Sequence, residues 1–196
     1  DDALPSLLPA GVGVVPGIDL AADGLPQSLS CELVAREVRA VICAAGFAPT
    51  FVPAEDRRLA EQVDGLGTRR LVAACEAARL PGRLVLVSSL GVNATASSQS
   101  ARLLDASLGN VLQQKAVAEA ACRASALDWC IVRPGLLQRD TAAGGVLLGP
   151  EDRWLGADAD ADRSHLGPRV SCPSPFLASS GAVCATSRRQ LAAVCV

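Results

Sequence analysis

Three short segments of small or hydroxylated residues each follow an apolar run and could contact a flat ligand. They are Ala44-Ala45-Gly46, Ser88-Ser89 and the Pro134-Gly135 pair. In open parallel α/β sheets, ligands bind beyond the carboxyl ends of the strands, and small residues there let the backbone approach a ligand closely. Any one segment is more typical of a tight turn, but three at successive strand ends favour a shared binding site.

A single lysine, Lys115, stands among 18 basic residues, all the others being arginines. A compact ammonium group with three donors suits a pair of ribose hydroxyls better than a planar guanidinium does. The alternative is an exposed helical lysine that pairs with Glu119, one turn further along the same helix. The sequence therefore predicts either a ligand-binding cation or one half of a surface ion pair.

The elements that must position these residues alternate between strands and helices. Apolar runs predict strands at Val38–Cys43, Arg83–Val87 and Trp129–Val132, preceded by a short extended run at Gly13–Val15. Apolar spacing predicts helices at Leu25–Val34, Glu55–Ala78 and Asn110–Ser125, with a loop of small polar residues before the last of them. This order predicts an α/β fold with an open, doubly wound parallel sheet of the Rossmann-like kind.

We expect one domain over residues 1–196, because a chain of this length suits a single core. Residues 149–156 are predicted to form a hairpin or short strand, residues 157–185 a loop or insertion, and residues 187–196 a helix with Ser187 at its N-cap. No glycine-rich loop follows a first strand, since Pro16 interrupts the segment that contains Gly13 and Gly17. We therefore expect the amino-terminal strand and its phosphate loop to be missing, and the domain to be incomplete at both ends.

Composition argues against several other classes of protein. A net charge of -2 provides no basic surface for nucleic acid, and no apolar run is long enough to span a membrane. The 8 cysteines contain no C-x-x-C pair, and His165 is the single histidine, so no metal site is predicted. Most cysteines lie in apolar runs, which indicates free thiols and a reducing compartment.

The order of the chain's motifs resembles that of the atypical short-chain dehydrogenase/reductases. Within that family, the resemblance is to small plant NAD(P)-binding proteins and to the NADP-binding component of the plastid import machinery. The motifs that carry it occur in the family's order: Ala44–Gly46, Val63–Thr68, Leu86–Gly91, Lys115–Glu119 and Val132–Gly135.

The resemblance implies that the cofactor is a dinucleotide, NADP or NAD. The residues implied to contact it are grouped by the part they face: Asp19 beside the adenine; Ala44, Ala45 and Gly46 along the adenosine side; Ser88 and Ser89 at the nicotinamide; Lys115 at the nicotinamide ribose; and Pro134 and Gly135 over the nicotinamide.

The chain departs from the family at the position that transfers a proton. Active short-chain dehydrogenases place a tyrosine four residues before the lysine, where it serves as general acid or base. Val111 occupies that position here, and the chain contains no tyrosine. The sequence therefore argues against ketone reduction by the usual mechanism, and Lys115 and Ser89 are the candidates for any catalytic role.

Two functions are compatible with these observations. The first is an NAD(P)-binding protein similar to the short-chain dehydrogenase/reductases which, if active, is an NAD(P)-dependent oxidoreductase. The alternative is a non-catalytic accessory or scaffold subunit of a large photosynthetic, import or respiratory complex, peripheral to a membrane. The resemblance implies a plastid location, with the mitochondrion and the cytoplasm as alternatives.

Overall fold

Helices and parallel strands alternate in the computed structural model, which describes residues 11–48, 50, 53–93, 95, 99–135, 137–138 and 186–187. The helical elements are α1 (Leu25–Ala35), α2 (Pro53–Ala60), a π-helical segment (Glu61–Gly67), α3 (Thr68–Ala77), α4 (Gln99–Ser107) and α5 (Val111–Ala124). The strands are β1 (Val41–Cys43), β2 (Arg83–Val87), β3 (Asp128–Val132), β4 (Leu137–Gln138) and β5 (Thr186–Ser187).

The main sheet of the described residues has three strands in the order β1-β2-β3, all parallel. In its register, Cys43 lies beside Leu86, and Leu86 lies beside Ile131. A second, two-stranded sheet pairs β4 with β5, also in parallel. The predicted fold class, helices with a parallel sheet, is therefore confirmed.

One face of the main sheet carries the apolar core. Leu84 and Leu86 of β2 contact a helical layer in which α1 packs against α3, and α3 packs against α5. The connections from β1 to β2 and from β2 to β3 are both right-handed crossovers, and both step in the same direction across the sheet. For this reason α3 and α5 lie on the same face. The other face is less covered, since Ile42 of β1 is 47% exposed.

Apolar spacing explains why α1 lies on this core. Leu25, Leu29 and Leu33 recur at intervals of four residues, and all three are buried. Residues so spaced share one face of an α-helix. The predicted helix at Leu25–Val34 is therefore confirmed.

The entry to β2 requires a glycine. A Cβ on Gly82 would lie 2.1 Å from the carbonyl oxygen of Arg39, which leads into β1. Such an overlap with backbone cannot be relieved by a side-chain movement. Gly82 therefore lets the two strands start side by side.

Several predicted boundaries change in the structure. The first strand begins at Val41 rather than Val38, and residues 13–15 form no strand. The loop expected before α5 contains a helix, α4, which the small polar residues of this region hid. Ser187 lies in β5, whereas the predictions for residues 149–156, 157–185 and 188–196 fall outside the described residues.

The start of α5 is stabilised by an acidic residue of the helix before it. The Asp105 carboxylate accepts hydrogen bonds from the backbone N–H groups of Leu112, at 2.8 Å, and Gln113, at 3.1 Å. A carboxylate at this position also interacts favourably with the helix dipole. No helix in the described part of the chain is both long and apolar enough to cross a membrane.

The core thiols should be unreactive in the folded protein. Burial, with neighbouring thiols as a smaller cause, raises the pKa of Cys75 and of Cys122 from the usual 9.0 to about 11. This lowers the thiolate fraction at pH 8 about 100-fold. Peptide mapping after brief iodoacetamide treatment should find Cys31, which is exposed, modified well before Cys75 and Cys122. Equal labelling of all three in native protein would contradict this packing.

Candidate functional site

The three predicted segments meet at the carboxyl edge of the main sheet. Ala44, Ala45 and Gly46 follow β1 and are exposed, whereas Ser88 follows β2 and is buried. Pro134, also buried, follows β3. Backbone hydrogen bonds continue the pairing of β2 with β3 past the strand ends, from the N–H of Ser88 to Val132 at 2.7 Å and from the N–H of Leu90 to Pro134 at 2.9 Å.

Lys115 reaches this edge from the first turns of α5 and forms an ion pair there. Its Nζ lies 2.8 Å from Oδ1 of Asp64, whose side chain is 1% exposed, while that of Lys115 is 17% exposed. The other carboxylate oxygen, Oδ2, accepts a hydrogen bond from the backbone N–H of Phe47 at 2.8 Å. The alternative prediction, a surface pair of Lys115 with Glu119, is wrong, because Glu119 binds other cations.

The π-helical segment contributes Asp64 to the site. Hydrogen bonds in a π-helix span one residue more than those of an α-helix, and such segments frequently occur at functional sites. Asp64 and Gly65 are buried here, and this segment packs against α5. The sequence predicted one uninterrupted helix across residues 55–78, so the change in helix type was missed.

Gly46 lies directly beside the ion pair. A Cβ built on Gly46 would come within 3.1 Å of Asp64 Oδ1 and 3.4 Å of Lys115 Nζ. The first distance is shorter than ordinary van der Waals contact, so a larger residue would press on the carboxylate. A glycine at this point leaves the ammonium group accessible past the end of β1.

A small cavity of about 10 Å³ lies between the ion pair and β2. It has room for about one water molecule. Its lining combines the ends of β1 and β2 with the π-helical segment, α3 and α5: Ala45, Asp64, Thr68, Leu86, Val87, Ser88, Lys115 and Ala118. A planar ring cannot enter a space of this size, so a ligand must lie over its rim.

A second buried carboxylate, Glu119, lies one turn beyond Lys115 and is 1% exposed. Arg133 binds it through two nitrogens, with Nε 2.7 Å from Oε1 and Nη2 2.5 Å from Oε2. Arg123 adds a contact of 2.9 Å to Oε2, and the hydroxyl of Ser88 donates to Oε1 at 2.6 Å. These contacts join α5 to the carboxyl ends of β2 and β3.

Glu119 is ionised despite its burial. Desolvation alone would raise its pKa, but hydrogen bonds from Arg133, Ser88 and Arg123 outweigh that effect and hold the pKa below its usual value of 4.5. Two-nitrogen binding of a carboxylate by arginine is among the stronger hydrogen-bonded arrangements in proteins. The stability that this cluster contributes therefore requires the charged carboxylate.

The two adjacent serines differ in their surroundings. Ser88 is buried and bound to Glu119, whereas Ser89 is half-buried and donates to the carbonyl of Leu90 at 3.1 Å. Gly135 is half-buried beside Pro134. The structure thus brings Ser88, Lys115 and the end of β1 to one cavity, with Ser89 and Gly135 following their strands nearby.

Asp19 lies in a separate loop ahead of α1. Its Oδ1 accepts a hydrogen bond from the N–H of Ala21 at 2.9 Å, which closes a local turn. The next residue, Leu20, approaches Gly67 so closely that a Cβ there would lie 2.9 Å from the Leu20 Cβ. The loop therefore packs against the end of the π-helical segment, while Asp19 itself is exposed.

Val111 is the first residue of α5, in the position where active short-chain dehydrogenases carry a tyrosine. It is half-buried and offers no group that can exchange a proton. Within the described residues, no group of three or more His, Cys, Asp or Glu side chains is placed to hold a metal ion.

Comparison with protein families decides what kind of domain this is. The model of a family described as NAD(P)H-binding matches residues 16–163. The chain belongs to this NAD(P)H-binding family. The predicted resemblance to NAD(P)-binding Rossmann-like proteins, and the predicted cofactor class, are confirmed at that level.

A plant protein is similar to this chain in sequence. An uncharacterized chloroplastic protein of Arabidopsis thaliana is 39% identical over 130 residues, which cover 65% of this chain and 44% of that protein. This NAD(P)H-binding chain therefore matches less than half of that relative's length.

Solved structures share the fold. A predicted NAD-dependent epimerase/dehydratase from Bacillus halodurans superposes with a TM-score of 0.53 at 25% identity, covering 68% of this chain and 54% of the other. An oxidoreductase from Lactococcus lactis gives a TM-score of 0.53 at 20% identity, with 69% and 55% covered. The latter likeness concerns the fold alone.

The edge of the main sheet offers donors and space that suit an NAD(P)H cofactor. Lys115 uses one contact for Asp64 and has further ammonium donors that a ligand could use, and Gly46 leaves space where a Cβ would intrude. No glycine-rich turn joins a strand to a helix in residues 11–48, 50 and 53–93, so contacts to the pyrophosphate are not evident in that part of the chain.

Sequence reasoning missed Asp64, Glu119 and Arg133 as members of the site. Asp64 had one detectable signal, since it is an acidic residue on the apolar side of an amphipathic helix, between Val63 and Leu66. Glu119 was noticed only as a possible partner of Lys115. Nothing in the local sequence indicates that Arg133 turns back onto α5.

The ion pair should be detectable as a coupling in folding stability. Lys115→Met should lower the free energy of unfolding by about 1–3 kcal/mol, because it leaves the Asp64 carboxylate buried without a cation. Adding Asp64→Asn should recover part of that loss, since an amide can still accept from the Phe47 N–H. Urea denaturation of both single variants and the double variant measures the coupling. Strictly additive losses would show that the two side chains do not interact.

The ion pairs and hydrogen bonds of Glu119 should make the free energy of unfolding depend on pH. Because the folded pKa of Glu119 lies below 4.5, its contribution is complete above that pH and is lost as pH falls through the folded value. Glu119→Gln should be less stable than the wild type at pH 7, and the gap in melting temperature should narrow below about pH 4.5. A gap that stays constant from pH 7 to pH 3 would contradict the assignment.

Proposed function

We propose that the chain binds the nicotinamide half of NADP(H) or NAD(H) at the carboxyl edge of its main sheet. In this proposal, Lys115 binds the nicotinamide ribose, Gly46 gives the cofactor access to it, and Pro134 and Gly135 pass over the nicotinamide. The observation that carries the proposal is the ammonium group of Lys115, fixed by Asp64 at 2.8 Å beside the open end of β1.

Further contacts are proposed from the same edge. Ala44 and Ala45 are exposed next to Gly46, as residues along the adenosine side of a cofactor would be. Ser88 and Ser89 follow β2 at this edge and are proposed to face the nicotinamide. Asp19 is proposed beside the adenine, supported by the packing of its loop against the segment that contains Asp64.

We infer that this site binds a cofactor without reducing ketones by the tyrosine mechanism. Val111 replaces the proton-transferring residue at the start of α5. Lys115, already paired with Asp64, is placed to orient a ribose. Any hydride transfer at this site would need its proton from another source, for which Ser89 is the candidate among the residues of the edge.

An accessory role in a larger assembly is the second candidate. The observation that favours it is α4, which exposes two adjacent leucines, Leu103 at 67% and Leu104 at 61%. Exposed apolar side chains that lie together are typical of interaction surfaces. The chloroplastic relative supports a plastid location for this chain. Co-sedimentation with a large organellar complex after mild detergent treatment tests this role.

The cofactor proposal predicts binding without turnover. Full-length protein should quench or shift NADPH fluorescence on titration, and Lys115→Ala should weaken binding by about 1–3 kcal/mol, the range for losing charge-assisted hydrogen bonds. The assay should be run well below the melting temperature of the variant, because this substitution also affects folding.

Arg36→Ala provides the matched control. It removes an exposed cation that pairs with Glu32 at the far end of α1, and it should leave the dissociation constant unchanged. The proposal fails if the full-length protein does not bind either dinucleotide. Steady oxidation of NADPH with simple ketones would instead overturn the inference that the site lacks this chemistry.

A further inference from the structure

The Ser88 hydroxyl donates its hydrogen bond to a buried group of the protein. Its Oγ lies 2.6 Å from Oε1 of Glu119, in a buried contact. Arg133 and Arg123 both bind the same carboxylate, which is therefore ionised and can only accept hydrogen bonds. It follows that Ser88 is the donor in this contact and that its hydroxyl hydrogen points toward α5.

The acceptor side of the same hydroxyl is left for a ligand. In residues 11–48, 53–93 and 99–135, no side chain or backbone group donates to Ser88 Oγ, and Ser88 lines the cavity that Lys115 also lines. A serine oxygen carries two lone pairs. Ser88 therefore offers an acceptor, and no donor, to a group at the rim of this cavity.

We propose that Ser88 accepts a hydrogen bond from the carboxamide N–H of the nicotinamide, and that Glu119 is the positioning residue that makes Ser88 an acceptor. This inference rests on the proposed function, because it assumes that the nicotinamide lies at this edge. It assigns the two adjacent serines different tasks, since Ser89 makes no contact with Glu119.

The chemistry of the cavity favours the amide group over a carbonyl or an alkoxide of a substrate. A carbonyl or alkoxide oxygen needs a hydrogen-bond donor, and Ser88 already donates its proton to Glu119. The carboxamide nitrogen carries two N–H donors and can supply one of them to Ser88. Arg133 keeps Glu119 in place from the end of β3 and also reaches Asn93, with Nη2 3.1 Å from Oδ1.

The test compares three oxidised dinucleotides that differ only at the carboxamide. The natural cofactor and its thionicotinamide analogue both keep the amino group, whereas the 3-acetylpyridine analogue carries a methyl group in its place. Wild-type protein should bind the natural cofactor about 3- to 10-fold more tightly than the acetylpyridine analogue, as expected for one neutral hydrogen bond. The thionicotinamide analogue should not suffer this loss.

Variants assign the discrimination to the two residues. Ser88→Ala should reduce the ratio of the acetylpyridine to the natural dissociation constant to about one. Glu119→Gln should lower this ratio as well, because a neutral amide no longer fixes the direction of the serine proton. A purely structural role of Glu119 would weaken both ligands alike and leave the ratio unchanged. Ser125→Ala removes a hydroxyl at the opposite end of α5 and should keep the wild-type ratio.

Three outcomes would overturn the inference. One is a wild-type protein that binds the natural and acetylpyridine dinucleotides equally, which leaves the proposed function intact. Another is discrimination that persists in Ser88→Ala, which would place the carboxamide elsewhere. Failure of the wild-type protein to bind any of the three dinucleotides would overturn the proposed function and this inference together.

Discussion

A carboxylate withdrawn almost completely from water determines how the carboxyl ends of the strands are arranged. Burying the charge of Glu119 is costly unless cations and hydrogen-bond donors surround it. Arg133 from the end of β3, Ser88 from the end of β2 and Arg123 from α5 supply them. Because Arg133 and Ser88 come from strand ends, whereas Glu119 lies on α5, neither strand end can move relative to α5 without removing a donor from the buried charge. The geometry of the proposed site is thereby coupled to the electrostatics of one residue.

Helix α5 extends this coupling across the sheet. Lys115 and Glu119 lie one turn apart on it, yet each is bound to a residue far along the chain instead of to the other. Lys115 pairs with Asp64 beside β1, and Glu119 pairs with Arg133 beyond β3. A single helix therefore contributes a cation near the end of β1 and an anion near the end of β3. The proposed nicotinamide position lies between these two ion pairs.

The elements with a clear apolar pattern could be predicted from sequence, and the polar contacts could not. The bounds of β2 match the prediction because Gly82 and Ser88 flank a five-residue run in which all but the first residue are apolar. Helix α4 was missed because its small polar residues are also typical of loops. Glu119 was the alternative partner considered for Lys115, since local spacing indicates neighbours on one helix but does not reveal a partner as distant in sequence as Asp64.

The π-helical segment between α2 and α3 has a consequence for comparing relatives. Each π-type hydrogen bond encloses one residue more than an α-type bond. The helix therefore holds one more residue over this stretch than a regular α-helix of the same length would. A homologue with an uninterrupted α-helix here will be one residue shorter at the same three-dimensional length. Aligning the two without a gap will match Asp64 to a residue on a different side of the helix. The gap must therefore be placed within this segment before the residue that corresponds to Asp64 is identified in a relative.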